Sequence, residues 1–155
     1  MLKSILWLIS FIAVCLIAGF IGSLSMKTSL HACYQSLIKP SINPPDWIFG
    51  PVWTFLYIMM GVSLFFIFRE KPGSYFPYIV FAIGLLLNIL WPYIFFYFQN
   101  ILLSVVEIII LWVAIGFNIY VFFQYSYIAG ILLIPYFLWV SFAVILNFLI
   151  LKLNT

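Results

Sequence analysis

Glu107 has more potential for chemistry than any other side chain in this sequence. It stands inside the predominantly apolar run from Ile101 to Phe123. An acid at the centre of a membrane helix costs about 2.5–3.5 kcal/mol on the insertion scale, so such a group is kept for a reason. One reading makes it a functional acid. The alternatives are that it reaches headgroups past the turn at Gln99-Asn100, or that it is protonated and hydrogen-bonded to another helix. Acid–base catalysis wants a partner, and no histidine or second acid is near it in sequence. No catalytic residue is assigned. The single histidine, His31, falls in a loop, and Cys15 reads as a small buried hydrophobe. Cys33 is far from it in sequence, and no Cys-x-x-Cys, His-x-x-His or Glu-x-x-His spacing is present, so no metal site is expected. A glycine-rich phosphate loop is missing as well.

The aromatic residues suggest binding instead. Phe49, Trp53 and Tyr57 recur at every fourth position, which places them on one face of a helix. Asn88, Trp91, Phe95 and Phe98 form a second stripe. Pro135, Trp139, Ala143 and Asn147 form a third, where the proline is expected to kink its helix. Aromatic residues at helical spacing ordinarily pack, and tryptophans near a span's end ordinarily sit at the membrane interface, as Trp7 and Trp47 would. Trp53, Trp91 and Trp139 fall deeper, and three such stripes with small or polar neighbours can enclose a flat apolar ligand. Asn88, Asn118 and Asn147 are suited to hydrogen bonds between helices, and Ala18/Gly22 and Gly19/Ser23 to close helix packing.

The elements that carry these residues follow from composition. Apolar residues make up 68% of the chain and charged residues 6%, with a mean hydropathy of +1.30. Soluble domains hold about 25% charged residues, so this chain cannot cover a water-facing surface. It reads as an all-α, multi-pass integral membrane protein in contact with membrane lipids. A span takes roughly 20 apolar residues, and five runs qualify, at about 5–24, 47–68, 75–98, 101–123 and 128–151. Together they form one domain over 1–155. The runs are apolar throughout and lack the alternation of barrel strands. The first run exceeds the 7–15 residues typical of a signal-peptide core, which favours a membrane helix. Basic residues divide three and three between the two sides (Lys3, Arg69 and Lys71 against Lys27, Lys39 and Lys152), so the charge rule favours neither orientation, and no particular membrane is indicated. The net charge of +3 is too small and dispersed for a nucleic-acid partner. Short connections separate the helices except between the first two. There, Pro40, Pro44, Pro45 and Pro51 fall within twelve residues. This stretch must start extended and then open into the helix of Trp53 and Tyr57, as a rigid lid over a pocket would.

Several motifs resemble one family over nearly the whole length. They are Tyr34 with Leu37-Ile38-Lys39-Pro40, then Pro44-Pro45-x-Trp47-x-Phe49-Gly50-Pro51-Val52-Trp53-Thr54-x-Leu56-Tyr57, then Met60-Gly61. Downstream come Asn88-x-x-Trp91-Pro92-x-x-Phe95-Phe96, the acid at 107, and Pro135-Tyr136-x-x-Trp139-Val140-x-Phe142-Ala143-x-x-Leu146-Asn147. In this the chain resembles the TspO/MBR family, the translocator or tryptophan-rich sensory proteins. The resemblance implies a five-helix membrane protein, often homodimeric, that binds porphyrins and similar apolar molecules beneath its first loop. The implied ligand is a porphyrin or haem, with no cofactor required. Its pocket positions would be Tyr34, Pro44, Phe49, Trp53, Tyr57, Phe98, Trp139 and Ala143, with Asn88 and Trp91 at motif positions on the third helix. Binding, sequestration or transport is the function favoured. The alternative is an enzyme that degrades porphyrin with light and oxygen.

Four positions depart from the family pattern. Cys33 and Ile42 stand where tryptophans are usual, which argues for slow or absent photochemistry. Asp46 replaces a residue that is often histidine or glycine, and Glu107 replaces the more usual aspartate. Near the C-terminus, Phe148 occupies the tyrosine position of the cholesterol motif of animal members, so cholesterol binding is not expected.

Overall fold

The computed structural model describes residues 2–26, 36–70 and 73–155. Tyr34, Cys33 and His31 lie outside the described residues. The described chain is helical, with α1 at Leu2–Leu24, α2 at Asp46–Arg69 and α3 at Phe76–Pro92. A π-helical turn, Tyr93–Tyr97, prolongs α3; α4 is Ile101–Phe123, α5 is Tyr127–Leu132 and α6 is Ile134–Asn154. Five segments are long and apolar enough to cross a membrane, the last being α5 and α6 together, Tyr127–Asn154. Each expected span is present, within a few residues of its expected limits.

The helices close into a ring in which α1 lies between α2 and α3, α3 meets α4, and α4 meets α5 and α6. Contact of α2 with α5 completes it. The pattern of burial is inverted relative to a soluble bundle. Large apolar side chains such as Ile9, Ile17, Leu86, Val113 and Leu138 face outward, whereas Ser63, Asn88, Ser104, Glu107, Asn118 and Asn147 are buried. Lipid accepts the first group, and polar groups avoid it by turning into the bundle. The protein is a multi-pass integral membrane protein.

Close approach fixes the α1–α2 contact. A Cβ on Gly61 would lie 2.5 Å from the Cα of Ile12, which is backbone and cannot turn aside. The small residues of α1 are used within the bundle: Cys15, Ala18 and Gly22 are buried, and a Cβ on Gly19 would strike the Tyr57 ring at 2.3 Å. On the α2 side, Ser63 Oγ donates to the Ala129 carbonyl of α5 at 2.7 Å.

Prolines shape the remaining joints. Pro45, at φ −57° and ψ 139°, is extended and hands directly into α2. The segment before it is tied to the end of α6, because Ile38 N–H donates to Asn154 Oδ1 at 3.0 Å and Asn154 Nδ2 donates back to the Ile38 carbonyl at 3.0 Å. The expected break at Pro135 appears as the interruption between α5 and α6 at Leu133, since proline has no N–H to continue the ladder.

Candidate functional site

The last turns of α1, the first turns of α2, the end of α3 and the stretch of α6 from Trp139 to Ile150 surround one cavity at the same end of the bundle. It has two adjoining lobes. One, of about 180 Å³, lies between Phe49 and Trp53 of α2, Trp91 and Phe96 of the α3 segment, and Trp139 and Ala143 of α6. The other, of about 330 Å³, lies under α1, with Gly19 and Gly22 facing Tyr57, Asn88 and Trp91. Met26, Phe49, Trp53 and Trp91 line both. A mostly apolar hollow of this size with a few polar groups is what small-molecule sites require, typically roughly 300–1,000 Å³.

The walls are held by ring contacts. Phe49 meets Trp139 edge-on with centroids 6.0 Å apart, and Trp53 contacts Tyr57 at 5.6 Å and Tyr136 at 6.2 Å. Trp91 stacks on Phe95 at 5.3 Å. Offset and edge-on arrangements of this kind contribute about 0.5–1.5 kcal/mol each beyond area burial. Beneath them, the Tyr57 hydroxyl donates to Asn88 Oδ1, and Asn88 Nδ2 donates to the Tyr136 hydroxyl at 2.7 Å. One buried asparagine thus ties α2, α3 and α6 together, as its position in the sequence suggested. Asn147 is joined to α4 more weakly, accepting from Ser104 Oγ at 3.4 Å. Asn118 is buried, and its Oδ1 has no partner among the described residues.

The expected site residues divide as follows. Phe49, Trp53, Tyr57, Asn88, Trp91, Trp139 and Ala143 come together on the cavity wall. Pro44 is half-buried at the approach to α2 and is not on the wall. Phe98 is 64% exposed and faces away. The cause is the π-helical turn: Phe98 N–H bonds to the Tyr93 carbonyl, five residues back, at 2.9 Å. The wider turn breaks the 3.6-residue stripe beyond Phe95, and Phe95 and Phe96 are the rings that this segment places on the wall. Tyr136 also escaped the every-fourth-residue stripe drawn through Pro135. Its signal is the alternative helical spacing to Trp139, three residues on.

Glu107 is interior, only 4% exposed, on the α4 face shared by Ser104, Ile108 and Leu111. It lines neither lobe of the cavity, and its two oxygens have no hydrogen-bond partner among the described residues. An unpaired charge there would cost several kcal/mol. Glu107→Gln, a neutral side chain of the same shape, is therefore expected to leave thermal stability in detergent within about 1 kcal/mol of wild type. A loss of folding would show that the ionisable group itself holds the bundle together.

Comparison with known proteins agrees with the arrangement. The TspO/MBR family profile matches residues 11–153. The chain is 44% identical to tryptophan-rich protein TspO of Chlorobaculum tepidum, over 98% of each chain. It is 31% identical to protein CrtK of Rhodobacter capsulatus, over 96% of this chain and 92% of that one. With the translocator protein of Homo sapiens it shares 32% identity, over 87% of this chain and 82% of the other. With five membrane helices, a tryptophan-walled cavity at one end of their bundle and a match to this profile over nearly its whole length, the chain belongs to the TspO/MBR family.

Proposed function

We propose that this protein binds porphyrins and similar flat apolar molecules within the membrane, sequestering or moving them. The observation that carries the reading is the convergence of Phe49, Trp53, Trp91 and Trp139, from three spans, on one hollow. Flat π-systems gain most from such walls, because they stack on aromatic faces and leave no buried polar surface unpaired. The name of one relative, the translocator protein, fits binding and movement better than turnover.

Titrating the purified protein with protoporphyrin and with haem in darkness, while following tryptophan fluorescence, tests this. Saturable quenching is expected; its absence for both ligands overturns the proposal. Trp53→Ala and Trp139→Ala should each weaken protoporphyrin binding by about 1–3 kcal/mol, by analogy with bases stacked on aromatic side chains. Trp7→Ala should not, because Trp7 packs on Phe11 and Phe68 instead of the cavity. Equal losses from all three would mean general destabilisation. Under illumination, porphyrin absorbance should fall no faster with protein than with detergent alone. Rapid protein-dependent loss that disappears in Trp53→Phe would favour the enzyme.

A further inference from the structure

Asp46 is the first residue of α2 and lines the smaller lobe of the cavity. Among the described residues it is the one charged side chain on either lobe's wall. The other charged groups described at this end of the bundle, Lys39 and Lys152, are off the wall. A single carboxylate beside a mostly apolar cavity acts on whatever polar end a ligand leaves at the mouth. The start of α2 would by itself attract an anion, because the free N–H groups of a helix N-terminus carry partial positive charge. No side chain caps that terminus. Asp46 offsets this attraction and reverses the local sign.

We propose that Asp46 makes the cavity selective by charge, so that ligands with a neutral or cationic polar end bind more tightly than the same ring systems ending in carboxylates. Resting on the cavity reading above, this narrows the ligand class. Among porphyrins, those with esterified side chains are preferred to free dicarboxylates. Two unit charges about 5 Å apart in a watery mouth interact enough to change affinity by about three- to tenfold, and salt screens the effect.

The test compares two probes of one shape, 2-naphthylmethylammonium and 2-naphthoate, by calorimetric titration of the full chain in uncharged detergent. At low salt the amine should bind about three- to tenfold more tightly than the acid. Asp46→Asn keeps the shape and should bring the ratio close to one, as should 1 M salt with the wild-type protein. Lys39 and Lys152 are common to both proteins, so the change in ratio isolates Asp46. A merely structural contribution of Asp46 to the start of α2 would alter melting temperature and both affinities without altering their ratio. An unchanged ratio in Asp46→Asn, or no saturable binding of either probe, overturns the proposal. Protoporphyrin and its dimethyl ester are titrated in parallel. Naphthalene discrimination with no porphyrin binding would remove the porphyrin reading and leave charge selection standing; porphyrin binding with no effect of Asp46→Asn would do the reverse.

Discussion

Gly61→Ala is expected to destabilise the bundle by about 1–3 kcal/mol, the usual cost of overpacking a well-packed core. The added methyl would sit 2.5 Å from the Cα and 2.7 Å from the backbone nitrogen of Ile12. Backbone in the middle of a helix has no rotamer to change, so α1 must move away from α2 along the whole contact. Cys15, Leu56, Met60 and Leu64 share the core cluster behind it and would lose their packing. Gly130→Ala is the control. Its Cβ would meet Cγ and Cδ1 of the Phe123 ring at 2.6 Å, so the whole ring must shift, but no backbone is struck and a smaller loss is expected. Thermal unfolding of the three proteins in one detergent measures the difference. Gly61→Ala as stable as wild type would mean that α1 and α2 are not held at this distance.

The legibility of this chain varied with the kind of signal. Apolar run length alone located all five spans, because lipid demands about 20 apolar residues regardless of tertiary detail. Helical spacing then brought Phe49, Trp53 and Tyr57 to one wall and Trp139 and Ala143 to another, since α2 and α6 keep regular geometry there. The same rule failed for Phe98, where a π-helical turn follows Pro92. Nothing in an apolar stretch such as Tyr93-Ile94-Phe95-Phe96-Tyr97 distinguishes α from π spacing. Asn88 could be read as an interhelical donor, but its partners, Tyr57 and Tyr136, depend on how three helices rotate against one another. Asp46 stood out in the sequence only as a departure from the family pattern. Its place on the cavity wall follows from the extended Pro44-Pro45 pair, which starts α2 at the mouth.

Filling the cavity tests the account more directly than removing its walls. Ala143 is half-buried on α6, and its methyl borders the smaller lobe opposite Phe49 and Trp53. A phenylalanine there can extend into the hollow and occupy the volume assigned to the ligand, without displacing neighbouring helices. A built-in clash of this kind discriminates against the ligand while leaving the fold intact. The deciding measurement is the dark protoporphyrin affinity of Ala143→Phe beside that of wild type, with melting temperatures taken on the same samples. The account predicts a loss of about a hundredfold, which is about 2.8 kcal/mol, at an unchanged melting temperature. Undiminished affinity in a folded Ala143→Phe protein would contradict it, because the ligand would then be bound somewhere other than this cavity.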